Sequence, residues 1–160
     1  AKKEQLSFSN LKFGAVTEHK IKGKPVFFLK PNTYMNLSGA AVKFWMDKEK
    51  IPLENTLTIV DDLSLPIEKI RLRPSGTHAG HNGLKDIQNT LNTDQYPKLR
   101  FGIGSNYAKG MQIDFVLGRW SENEQPIVQL KIQTSVSIIE NFATKGIDKT
   151  MNEANKLIIL

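Results

Sequence analysis

Apolar residues return along the chain with two different periods, and the switches between them mark out most of the elements. Lys24 to Lys30 (KPVFFLK) and Leu57 to Val60 (LTIV) are short apolar runs, the second ending abruptly at Asp61-Asp62. Such runs predict strands buried on two faces. Between them Leu37, Ala40, Ala41, Phe44 and Trp45 follow i, i+3, i+4, i+7, i+8 spacing. That predicts an amphipathic helix with Asn36 or Ser38 as N-cap, and with its flanks a strand–helix–strand unit. Lys69 to Arg73 (KIRLR) and Lys98 to Ile103 (KLRFGI) alternate charged with apolar residues, predicting strands with one wet, cationic face. Leu84, Ile87 and Leu91 mark a helix that follows a loop over Gly76–Gly83. Val128, Ile132, Val136, Ile139 and Phe142 form one helical stripe, and Ile147, Met151, Ala154 and Ile158 predict a last helix after Gly146. Interleaved elements of this kind predict the α/β class, a mixed twisted sheet flanked by helices. No repeat or linker-like run interrupts the sequence, so residues 1–160 are expected to form a single domain.

Composition narrows the class. Hydrophobic residues make up 39% and charged residues 24%, the balance of an ordinary globular protein. No apolar run approaches the roughly 20 residues of a membrane span, and the Lys-rich start has no hydrophobic segment behind it, so a soluble, cytoplasmic chain is expected. With no Cys there is no disulfide framework, thiolate metal site or cysteine nucleophile. The net charge of +6 is uneven: residues 1–30 hold seven Lys against two Glu, and residues 69–119 hold eight Lys or Arg against three Asp. The second basic stretch coincides with the Gly-, His- and Asn-rich centre. It fits a polyanionic partner or a merely solvated basic surface.

Asp61 and Asp62 end a predicted strand, where open α/β sheets place their ligand crevice; the competing role for Asp61 is to cap a following turn. The loop Ser75-Gly76-Thr77-His78-Ala79-Gly80-His81-Asn82-Gly83 precedes a helix, so its free amides and the helix dipole suit an anion or oxyanion. It lacks the Gly-Lys-Ser/Thr ending of a P-loop, and Gly102-Ile103-Gly104 fails as a dinucleotide fingerprint because Tyr107 stands where a glycine is needed. His78 and His81 have no evident third ligand, so no metal is expected. Asn36 offers a donor and an acceptor, either to a ligand or to the helix it precedes. Tyr34 is either half-buried packing or a stacking platform for a base.

Lys30 to Gly39 (KPNTYMNLSG), Val60 to Pro66 (VDDLSLP), Gly80 to Leu84 (GHNGL), Leu99 to Gly104 (LRFGIG) and Phe115 to Gly118 (FVLG) occur here in one order, and by them the chain resembles the bacterial peptidyl-tRNA hydrolases. The likeness reaches Met151-Asn152 near the C-terminus. It implies a single α/β domain, monomeric and cytoplasmic, that cleaves the ester between a peptide and the 3′ end of tRNA without metal or cofactor. By the resemblance Asn36 and Asn82 hold the tRNA 3′ end and the peptide backbone, with Tyr34 beside the first of them. Asp61 matches the aspartate that hydrogen-bonds the catalytic histidine and stabilises its charged form, and His81 supports the site without being the main base.

Two departures stand out. Members of the family begin with a strand, a turn containing Gly and Asn-Pro, and an Arg-His-Asn stretch whose histidine activates water. None of these is present, and His19, in a Thr-Glu-His-Lys context, does not match that base. The expectation is a chain N-terminally incomplete relative to the family, and a general base is worth about 10²–10⁴-fold. The alternative is a non-catalytic tRNA- or RNA-binding relative that has lost the base. The second departure is Ala79, where the family commonly has Gly.

Overall fold

In the computed structural model, which describes residues 5–155, residue contacts gather the chain into two units, 1–56 with 75–96 and 57–74 with 97–160. The first begins with a three-stranded antiparallel meander, β1 (Ser9–Leu11), β2 (Gly14–Ile21) and β3 (Lys24–Pro31), in the order β1-β2-β3. Lys22 (φ 48°) and Gly23 (φ 80°) make the two-residue turn between β2 and β3. Two left-handed residues in succession match the twist of the strands they join. The apolar pattern does not predict β2, because four of its eight positions are the polar run Thr17 to Lys20.

After a 3-10 turn, Met35–Leu37, comes α1 (Ser38–Glu49). Of the stripe its spacing predicts, Ala41 and Trp45 are buried and Phe44 is half-buried, while Leu37 and Ala40 are exposed because the helix buries Ser38 and Gly39 instead. Trp45 stacks on Phe27 of β3 with ring centroids 5.0 Å apart and donates its indole N–H to the Lys12 carbonyl at 2.9 Å. Phe44 completes the cluster edge-on to Trp45 and to Phe13. β3 is thus an edge strand half-buried on both faces over Val26–Leu29, rather than fully buried on two. The second helix of this unit, α2 (Asn82–Leu91), buries Leu84 and Ile87 and packs against α1.

In the second unit β4 (Thr58–Asp62), β5 (Ile70–Arg73) and β6 (Lys98–Gly102) form a sheet in the order β4-β6-β5. β4 runs parallel to β6, Thr58↔Lys98 to Asp62↔Gly102, and β5 is antiparallel to it. The mixed sheet and the α/β class are as expected. β3 and β4, however, lie in different sheets, so the strand–helix–strand unit is not a parallel crossover. Nor is β4 buried on both faces, since Ile59 is 49% exposed.

The cationic wet face holds for β5, whose Arg71 and Arg73 are exposed, and fails for β6, where Lys98 and Arg100 are buried. β6 is central, and Arg100 is matched by a carboxylate: its guanidinium meets Asp62 Oδ2 at 3.2 Å. Three helices complete the unit: α3 (Gln112–Leu117), α4 (Gln125–Lys145) and α5 (Ile147–Ala154). Leu72, Leu99, Ile138 and Ala154 form its core, with Ile147 and Met151 packed on them. Ile158 lies outside the described residues. The side chain of Asn155, just past α5, holds both backbone groups of Leu72, accepting its N–H at 3.0 Å and donating to its carbonyl at 2.9 Å.

α4 is turned from the face its sequence predicts. Val128, Lys131, Ser135 and Ile138 are buried, while Ile132 is 45% exposed. Lys131 explains the difference: its ammonium donates to the Gly102 carbonyl and stands 3.6 Å from the Phe101 ring centroid, both on β6. A long polar side chain can be buried this way only if its head finds partners. Burial pushes the Lys131 ammonium down to about 8, against the pull of Glu68. Among the described residues no helix is long and apolar enough to cross a membrane.

Candidate active site

The four site residues of the first unit, Tyr34, Asn36, His81 and Asn82, sit where two helices begin. Asn36 is exposed within the 3-10 turn ahead of α1, and the N-cap of α1 is Leu37, not Asn36 or Ser38. Ser38 is occupied elsewhere, its hydroxyl donating to the Met35 carbonyl at 2.7 Å. Tyr34 is 81% exposed, which removes the packing alternative. At α2 the cap is His81, whose Nδ1 accepts the amides of Gly83 at 3.1 Å and Leu84 at 3.3 Å. Asn82, the first helical residue, is exposed and relieved of capping. Capping by His81 is what the sequence did not disclose, because Ser, Thr, Asn and Asp are the usual caps and the Asn follows instead of preceding.

The two helix starts touch. A Cβ on Gly83 would lie 2.6 Å from Met35 Sδ, so the Met35 side chain rests on the first turn of α2. The turn that carries Asn36 is thereby seated beside Asn82. Ahead of α2 the loop is shaped by left-handed residues: Gly76 (φ 136°), Ala79 (φ 47°) and Gly80 (φ 82°). The Ala79 methyl sits where glycine is favoured, a cost of about 1 kcal/mol. His78 Nδ1 accepts the Gly80 amide at 3.1 Å, so both histidines of this loop hold backbone. Among the described residues no group of three His, Cys, Asp or Glu could hold a metal ion.

Asp61 belongs to the second unit, near the C-terminal end of β4. It is half-buried, and its neighbour Asp62 caps the turn that follows. Asp62 Oδ1 accepts the Ser64 amide at 2.8 Å and hydroxyl at 2.5 Å, and Oδ2 faces Arg100. An Asp two residues before a Ser is the local signal for such a turn. The loops that leave the parallel strands β4 and β6, Leu63–Pro66 and Gly104–Asn106, line an open cavity of about 450 Å³. This is the carboxyl end of the parallel strands, where open α/β sheets take ligands.

Burial pushes the Asp62 carboxyl up, but the Ser64 hydrogen bonds and Arg100 outweigh it and hold it below its ordinary value. A depressed native value means the stabilisation is fully present above the unfolded carboxylate range, near 3.9, and is lost as pH falls through the native value. Acid lability between neutral pH and pH 3, followed by urea midpoints, should therefore be smaller in Asp62→Asn than in the parent. An equal acid loss in both would show that Asp62 contributes nothing to it.

The sequence model of the peptidyl-tRNA hydrolases matches residues 1–158. This chain belongs to the peptidyl-tRNA hydrolase family. The peptidyl-tRNA hydrolase of Phocaeicola vulgatus is 49% identical over 156 residues, 98% of this chain and 83% of that relative. That of Bacteroides fragilis is 48% identical over the same length and shares. A crystal structure of peptidyl-tRNA hydrolase from Acinetobacter baumannii has a TM-score of 0.88 at 31% identity, covering 96% of this chain and 79% of that one. These peptidyl-tRNA hydrolases are all longer than the 160 residues.

Proposed function

We propose that this chain hydrolyses peptidyl-tRNA in the cytoplasm, with residues 1–160 forming one domain of the hydrolase. Water adds to the ester carbonyl, the bond to the tRNA 3′ oxygen breaks, and a peptide acid and a free tRNA hydroxyl leave. Asn36 and Asn82 position the tRNA 3′ end and the peptide backbone, each amide offering both a donor and an acceptor. Tyr34 supplies an aromatic face for a terminal base, a contact worth about 1–3 kcal/mol. Asp61 orients and charges the histidine that takes the water proton, as the third member of a triad does. His81 supports the site by capping α2.

The observation that carries this reading is the pair of exposed asparagines on touching helix starts, each relieved of the capping that would otherwise explain it. None of the histidines within the 160 residues is assigned as the water-activating base. His78 and His81 are engaged by backbone amides, and His19 stands on the meander. The test is hydrolysis of a blocked aminoacyl-tRNA by the full-length protein; no turnover sinks the reading. The same engagement of the histidines favours a second one, a tRNA binder without chemistry. Salt-dependent tRNA binding by the full-length protein with no ester cleavage would select it.

Asn82→Ala is expected to raise KM by about tenfold, the worth of one or two hydrogen bonds, with a smaller change in kcat. Because His81 carries the cap, α2 should keep its helicity, and circular dichroism checks that the loss is local. An unchanged KM would remove Asn82 from the substrate contacts.

A further inference from the structure

α1 starts without a cap of its own. Leu37 occupies the N-cap position and has no side-chain oxygen, and the Ser38 hydroxyl is turned back to Met35. The amide that an N-cap normally satisfies, that of the second helical residue, belongs to Gly39. It donates instead to Asp86 Oδ2 at 2.7 Å, a carboxylate that reaches it from α2, forty-seven residues on. A negative charge at that end also complements the helix dipole.

Asn82, Asp86 and Thr90 are four residues apart on α2 and so share one face. Gly39 lies against that face: a Cβ on it would be 2.2 Å from Thr90 Oγ1 and 2.7 Å from the Asp86 carbonyl oxygen. The same stripe that ends in Asn82 thus grips α1 three residues after Asn36. Close packing fixes how near the helices come, and the directional bond to Asp86 fixes their register along the axis.

We propose that Asp86 is a positioning residue of the site: by capping α1 from α2 it sets the separation of Asn36 and Asn82. This rests on the substrate contacts assigned above to the two asparagines. A misplacement of such contacts by about 1 Å can cost up to 10²-fold. A short, charge-assisted bond is the kind of restraint that prevents it.

The test is a double-mutant cycle in the full-length protein, read by KM for a blocked aminoacyl-tRNA and, independently of turnover, by the affinity for deacylated tRNA. Asp86→Ala is expected to raise KM about tenfold and weaken tRNA binding in parallel. Asp86→Asn keeps an acceptor oxygen and should stay within about twofold of the parent. Asp86→Ala with Asn36→Ala should be no worse than the more damaging single change, because both remove the same contact. Effects that multiply, or a lowered Tm with KM and affinity unchanged, overturn the proposal. If Asp86→Ala does not fold, Asp86→Glu displaces the carboxylate by one methylene and should raise KM in the same direction, an unchanged KM again overturning it. A parent that binds tRNA without hydrolysing it would reject the catalytic reading while the binding cycle still decides the role of Asp86. A parent that does neither removes the contacts and the proposal with them.

Discussion

Replacing Asp61 by Asn in the full-length protein is expected to lower kcat for a blocked aminoacyl-tRNA by about 10²–10⁴-fold and to leave KM within a few-fold, the pattern that loss of the proposed orienter would give. The amide keeps the size of the side chain but cannot hold a histidine in the tautomer that accepts a proton from water, nor stabilise the cation that results. The neighbouring Asp62 cannot substitute for it. Its oxygens are committed to Ser64 and Arg100, and in a strand successive side chains point to opposite faces. Steady-state kinetics at neutral pH make the measurement, with the 160-residue chain alone as control. There, where no histidine is assigned as the base, the substitution should change residual activity little; an equal loss in both proteins would contradict the orienting role.

Gly102→Ala should cost about 3 kcal/mol or more, the upper part of the overpacking range. A Cβ at this position would lie 2.1 Å from the Pro66 carbonyl oxygen and 2.8 Å from that of Lys69, with Leu65 Cβ at 2.9 Å. Two of these are backbone atoms and cannot rotate away. The Lys69 carbonyl also accepts the Gly102 amide at 2.9 Å, so the loop after β4 is tied to the strand it would have to leave. At about 2–4 °C per kcal/mol for a chain of this size, Tm should fall by roughly 6–12 °C in a thermal scan. Gly110→Ala, with nothing within 4 Å but a left-handed φ of 88°, is the control for backbone strain alone. A drop at Gly102 no larger than at Gly110 would mean that the loop yields.

The elements the sequence foretold are those whose signal is periodic. α1, α2 and α5 follow the 3.6-residue spacing of their apolar residues, β5 and β6 their alternation, and β4 its short apolar run. Where the apolar count misled, a polar residue had found a partner distant in sequence. Lys131 looks like a surface residue until the Gly102 carbonyl and the Phe101 ring are in place, and Arg100 until Asp62 is. β2 was hidden by Thr17 to Lys20, since a meander strand shows only part of itself to the core. For the candidate site, motif order proposed the residues, while the relief of Asn36 and Asn82 from capping was not legible in the sequence. That depended on His81 using a ring nitrogen and on Asp86 reaching across to another helix, and neither is a property of a local window.

The clasp of Asn155 on Leu72 has a consequence for solubility. β5 ends its sheet, and an end strand offers unpaired amides and carbonyls to any other extended chain, a route to edge-to-edge aggregation. A primary amide presents one donor and one acceptor side by side, the same pair that a single residue of an added strand would present. By filling both positions at Leu72, one side chain imitates the next strand and closes the middle of the edge to a stranger.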